Sequence, residues 1–350
     1  MSPAEPMRVL IAPDKFKGTL TAAEAADAMA AAVADVFGAG TVVIEQLPIA
    51  DGGDGTVAVL GGANQTSTVT DPLGRTARAL WRLDDRTAII ESAAASGLVL
   101  VGGAAENDPW AASTIGTGEL IREAVELGAT KILVGMGGVA TTDGGRGALA
   151  ALTSDVPFAD GTVEVLVDTS TPFLQAAEVF GPQKGADSEL IERLTRRLSA
   201  DAVEWLDRFG IDVRDVPGSG AAGGLAGALY AAGATIRDGV EVVADYLRLW
   251  EVLREVDLVI TGEGAFDHTS INGKGPGCVL AEARKHGIPT LVVAGSIATD
   301  AGHIASAHAS IVEIVGQAAA FETPSRALRV ATAHALDQYI NGRESTPEHR

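Results

Sequence analysis

Cysteine is nearly absent: Cys278 is the single one in 350 residues, so no intramolecular disulfide or cysteine zinc cluster can form. That usage suits a reducing, cytoplasmic setting. No run of basic residues interrupts a formal charge of -20, and an acidic surface repels nucleic acid and anionic membranes, so neither is an expected partner. The opening "MSPAEPMRVLIAPD" lacks a basic stretch ahead of an apolar one, and no secretory signal is expected. Long apolar runs are missing as well. Residues 216–236 are uncharged, but six glycines and a proline leave that stretch too weakly hydrophobic to span a bilayer.

The length leads to an expectation of two domains. Strand "RVLIAP", a helix from Thr21 to about Val36 and strand "TVVIEQLPI" open the chain, with Thr21 and Glu24 spaced as a capping box. From Val256 the same grammar returns: strand "VDLVITG", helix "GCVLAEARKHG", strand "PTLVVAG", a short helix, strand "ASIVEIVG" and a last helix from "PSRALRV". Together these predict an α/β fold with a Rossmann- or flavodoxin-like doubly wound parallel sheet, built from residues 1–64 and 241–350. Residues 65–240, with strand-like "ARALWRLD", "RTAIIESA" and "KILVGMG", read as a second α/β domain inserted into the first, leaving a cleft suited to small ligands.

Ligands of open α/β sheets sit beyond the carboxyl ends of strands. Acids gather at those ends here: Asp14 after "RVLIAP", Asp51 and Asp54 in "ADGGDG", Asp143 in "TTDGG", and Glu263 and Asp267 in "GEGAFD". Asp and Gly also make good turns and caps, which is the plainer account of any one of them. Lysine sharpens the pattern. Of six lysines, four lie in glycine-rich stretches, namely Lys15, Lys17, Lys184 and Lys274. An ammonium beside exposed amides grips phosphate. Acids, lysines and glycine loops are the parts of phosphoryl transfer, in which carboxylates hold Mg²⁺ and one acid accepts a hydroxyl proton. No Walker A sequence is present, because "INGKGP" has Gly275 where Ser or Thr is required. "GMGGVA" and "GSGAAG" are weak dinucleotide-type matches, the first followed by "TTDGGRG" where a phosphate-binding helix should run. The six histidines show no helical metal-site spacing, and no G-x-S-x-G occurs.

The blocks "IAPDKFKGTLTAAEAADAM", "PIADGGDGT", "GTGELI", "GGVATTDGG", "VFGPQKGA", "PGSGAAGGL" and "LVITGEGAFDHTSINGKGP", in this order, resemble the bacterial glycerate kinase family. The resemblance implies phosphorylation of D-glycerate by ATP with Mg²⁺, the 2-hydroxyl favoured, by a monomer or homodimer of two α/β domains, one discontinuous. It implies catalytic roles for Asp14, Lys17, Asp143 and Asp267, and metal binding by Glu263 and Asp267. Phosphate or substrate contacts are expected from Asp51, Asp54, Gly137, Gly138, Gln183, Lys184, Gly220, Gly223, Gly224 and Lys274. Which acid is the base stays open. The sequence departs from the family pattern at Lys15, Thr19, Asp54, Val139, Thr142 and Thr269, and "VLVDTSTP" stands where the family has C-D-V-x-N-P. These changes leave open a kinase for another small hydroxy acid, or a silent nucleotide- or metabolite-binding paralogue.

Overall fold

The computed structural model describes residues 6–38, 40–152, 156–271, 273–299 and 301–344. In chain order its strands are β1 (Met7–Ile11), β2 (Val42–Gln46), β3 (Gln65–Thr70), β4 (Thr76–Asp84), β5 (Thr87–Glu91), β6 (Lys131–Gly135), β7 (Val163–Val167), β8 (Thr235–Asp238), β9 (Leu258–Thr261), β10 (Ala265–Phe266), β11 (Thr290–Ala294), β12 (Ser296–Ile297) and β13 (Ala307–Ser310). The chain divides into two compact units, Met1–Ala50 with Val243–Arg350, and Asp51–Val242. The first boundary therefore falls fourteen residues earlier than the expected one after residue 64. The cause is local bonding. Glu91, at the end of β5, accepts from Gly55 N at 3.1 Å and Val57 N at 2.8 Å, and Asn64 bonds Leu83 N and O at 2.9 and 2.8 Å.

The first unit is a parallel sheet in the order β13-β11-β9-β1-β2. Counted within this five-stranded sheet it is the doubly wound order 2-1-3-4-5, whose direction of winding reverses between β1 and β9. Both faces are covered, so the central strands are continuously apolar. Val9, Ile11, Leu258, Ile260, Leu291 and Val293 pack with the helices Ala22–Phe37 and Pro324–Glu344. Leu10 and Val259 face the other way, with Val279 and Ala283 of the helix Gly275–Lys285. The capping box is present: Glu24 N donates to Thr21 Oγ1 at 3.2 Å and Thr21 N to Glu24 Oε2 at 2.9 Å.

One expected strand is only half a strand. In "ASIVEIVG" the ladder stops at Ser310, and Ile311–Val315 is helical. Ile311, Ile314 and Val315 all reach the same core, and that three-and-four spacing is helical rather than alternating.

The second unit is a six-stranded sheet, β3-β4-β5-β6-β7-β8, antiparallel from β3 to β5 and parallel from β5 to β8. Trp81 is wholly buried, and its Nε1 donates to Ser67 Oγ at 2.8 Å. The helix Ser188–Phe209 starts at Asp187, whose carboxylate accepts from Leu190 N at 2.8 Å. "IDVRDV" forms no strand, so "GSGAAG" lacks the strand that a dinucleotide fingerprint requires. After β6 no helix begins until Arg146, which removes the same reading of "GMGGVA". Among the described residues no helix is long and apolar enough to cross a membrane.

Candidate functional site

In the first unit the strand-end acids meet where the winding reverses. β1 and β9 are neighbours, and the loops beyond them are tied by Asp14 N donating to Gly262 O at 2.9 Å and Thr261 Oγ1 to Ala12 O at 2.7 Å. Asp14 is buried, and its Oδ1 accepts from Lys15 N at 2.6 Å with Lys15 Nζ 3.6 Å away. Glu263 is buried too, and its Oε1 has no hydrogen-bond partner. Burial pushes the Glu263 carboxyl up to about 7; a hydrogen bond from Ser270 and the charge of Lys274 oppose the rise, while Asp14 and Asp267 add to it. Asp14, Glu263, Asp267 and Lys274 thus form one electrostatic group.

Asp267 Oδ1 accepts from Thr269 Oγ1 at 2.6 Å, Thr269 N at 2.7 Å and Ser270 N at 3.3 Å. The Thr269 bonds hold its carboxyl below the usual range. Thr269, where the family has Gln, therefore orients an acid of the site. Lys274 is the N-cap residue of the helix Gly275–Lys285, whose amide dipoles favour an anion at that end. Lys17 is exposed on the loop after β1, whose backbone N lies 3.3 Å from where a Cβ on Gly264 would sit. Ser270 is a further residue of this group that the sequence motifs do not mark. Its signal was the Asp-x-x-Ser spacing, since Asp267 N donates to Ser270 Oγ at 3.1 Å. Among the described residues no group of three or more acidic, histidine or cysteine side chains is arranged to hold a metal ion.

The second unit treats its predicted residues differently. Asp143 is buried and spends both oxygens on its own surroundings: Oδ2 accepts from Thr114 N and Oγ1, each at 2.9 Å, and from Gly147 N at 3.1 Å, while Oδ1 accepts from Gly145 N at 3.2 Å. These bonds tie the "TTDGG" loop to Thr114 and Gly147. Asp143→Ala should lower the unfolding free energy by about 3 kcal/mol, since several buried donors lose their acceptor at once; urea unfolding checks this.

Lys184, expected to grip phosphate, is turned inward and donates to Thr141 O at 2.6 Å. The amides of Gly220 and Gly224 bond Thr171 O and Gly220 O, and a Cβ on Gly223 would lie 2.1 Å from Thr141 O. At these positions the backbone packs closely, and the Gly220 and Gly224 amides are bonded within the unit. Thr114, Asn107 and Arg197 complete the support: Asn107 Nδ2 donates to Ala140 O and Lys184 O, and Arg197 to Thr142 O and Trp110 O. No sequence motif marked them.

The residues of this unit that remain accessible lie elsewhere. Asp51 accepts from Gly53 N at 3.2 Å, Asp54 is exposed, Gly137 is half-buried, and Gly138 and Gln183 are exposed. Gly52 must lack a side chain, because a Cβ would stand 2.5 Å from Gly239 Cα, and Gly135 would meet Gly52 O at 2.4 Å. These contacts lay the Asp51–Gly55 loop over the carboxyl ends of β6 and β8.

Burial pulls the Lys184 ammonium down to about 7, against the attraction of Asp143. From about pH 7 to 10 the unfolded chain would hold a proton at this position that the folded chain lacks, so stability rises with pH across that window. Lys184→Met should remove this increment, at most about 1.4 kcal/mol per pH unit. Urea midpoints of the two proteins at pH 7, 8 and 9 read it directly.

Comparison with known proteins supplies the chemistry. The glycerate kinase family matches residues 9–163 and 153–340. A glycerate 2-kinase of Escherichia coli K12 is 40% identical over 334 residues, spanning 85% of this chain and 87% of its own. A glycerate kinase of Bacillus subtilis 168 is 37% identical over 336 residues, with the same 85% and 87% coverage. A solved structure described as a candidate glycerate kinase 2 from Salmonella typhimurium LT2 shares 33% identity and superposes with a TM-score of 0.77, over 97% of this chain and 100% of that one. The fold and these likenesses define a phosphotransferase with an alcohol group as acceptor. The chain belongs to the glycerate kinase family.

Proposed function

We propose that this protein transfers the terminal phosphoryl group of ATP to D-glycerate, with Mg²⁺, and forms the 2-phosphate. The observation that carries the site is Glu263: a buried carboxylate oxygen without a partner, beside Asp14, Asp267 and Lys274, where the sheet reverses its winding. An orphaned buried acceptor is costly unless something fills it. Mg²⁺ needs only one or two carboxylates, completing its shell with phosphate oxygens and water, so Glu263 and Asp267 fit it. When bound, the ion supplies neutralisation of charge on the phosphate oxygens. Lys274 and Lys17 offer ammonium groups to the same phosphates, and Asp14 takes the proton of the attacking hydroxyl.

Glycerate is favoured over another hydroxy acid by the likeness to relatives named glycerate kinase. The 2-hydroxyl as acceptor is supported by the likeness to the glycerate 2-kinase of Escherichia coli. A coupled ADP-release assay tests the reading. Saturable turnover with D-glycerate that vanishes on chelating Mg²⁺ is expected, whereas turnover confined to lactate, glycolate or tartronate would overturn the choice of substrate.

A further inference from the structure

Beside the acids, the first unit holds a cavity of about 360 Å³ whose walls are mainly apolar. It runs along the carboxyl edge of the sheet: Phe16 and Leu20 follow β1, Gly264 follows β9, Gly295 follows β11, and Ile311 follows β13. The edge is held by backbone bonds, Gly295 N to Glu263 O at 3.0 Å and Val312 N to Gly295 O at 3.1 Å. Lys17, on the same loop as Asp14, is part of the lining. The outer wall is the short helix Gln317–Glu322, which buries none of its residues, and Phe321 on it is 61% exposed.

We infer that this cavity receives the base of the nucleotide that donates the phosphoryl group, with Phe321 against its face; the inference rests on the kinase reading above. Two ligands are needed at the acids, and they differ in kind. A three-carbon hydroxy acid is small and anionic, and it gains nothing from an apolar cavity of this size. A nucleoside triphosphate has a flat, poorly hydrated base at one end and a polyanion at the other. The lining joins the aliphatic and aromatic side chains of Phe16, Leu20, Ile311 and Phe321 with Lys17, and it includes Gly264, the neighbour of Glu263 in the chain. A volume near the lower limit of small-ligand pockets suits a base with part of its sugar and leaves the phosphates outside, over the loops. Phe321, an aromatic side chain that is largely exposed, gains a partner when a base lies against it.

Phe321→Ala should fold normally, because its side chain is largely outside the core. It should raise KM for ATP about tenfold, as loss of one base–aromatic contact does, and leave KM for D-glycerate within about twofold. Ala320→Trp, which fills the cavity instead of emptying its rim, should raise KM for ATP still further. Isothermal calorimetry with ADP on both variants and the parent gives the same ranking without turnover. An unchanged KM for ATP and an unchanged ADP affinity in both variants would overturn the assignment while D-glycerate-dependent activity stands. If the parent shows no turnover with D-glycerate, the calorimetric ranking still decides the cavity: weaker ADP binding in both variants supports it, and equal binding overturns it.

Discussion

Asp14→Asn is expected to turn over D-glycerate at least about 100-fold more slowly than the parent protein, with KM for ATP little changed. The substitution keeps the size of the side chain, and an amide oxygen can still accept from Lys15 N, the 2.6 Å bond that Asp14 Oδ1 makes now. What is lost is the negative charge, and with it the ability to take a proton. Asp14 is buried against the loop after β9, so water does not readily replace it. An unfolding midpoint within experimental error of the parent would show that the loss is chemical. Near-normal kcat would remove Asp14 from the chemistry and leave Glu263 or Asp267 to accept the proton.

Gly262→Ala is expected to cost about 3 kcal/mol of stability and most of the activity with it. A Cβ at this position would stand 1.8 Å from Val293 O, inside the pairing of β9 with β11, and 3.2 Å from Met29 Cε on the neighbouring helix. Nothing along that edge yields cheaply, because the first obstacle is backbone rather than the end of a side chain. The strain falls on the loop that presents Glu263, and on the bond from Asp14 N to Gly262 O. Urea unfolding followed by circular dichroism measures the first effect, and ADP release the second. A midpoint equal to the parent's would mean that the strands separate more easily than their packing indicates.

Much of the first unit was legible because its signals are local. Apolar runs at β1, β9 and β11, a capping box at Thr21 and Glu24, and strand-end acids all lie within a few residues of what they govern. "ASIVEIVG" misled because a short apolar run serves strand and helix alike, and only the common core of Ile311, Ile314 and Val315 separates them. The site was less legible for a physical reason. Asp143 and Glu263 are both acids beyond strand ends and beside glycines, yet four hydrogen bonds within the second unit satisfy Asp143, while Glu263 keeps an oxygen unpaired. Lys184 and Lys274 differ likewise: one is buried on Thr141 O, the other caps a helix beside acids. Sequence shows which groups a loop carries, but not which of them the fold consumes. Arg197 and Asn107, which support the "TTDGG" loop from distant positions, carry no local signal at all.

Transfer of phosphate to a glycerate hydroxyl leaves a phosphate monoester that can be observed directly. Phosphorus NMR of a mixture of the protein, ATP, Mg²⁺ and D-glycerate reads it without coupling enzymes. The expected spectrum gains a monoester resonance of 2-phosphoglycerate in step with ADP, and a spectrum that gains only inorganic phosphate, or does not change, would contradict it.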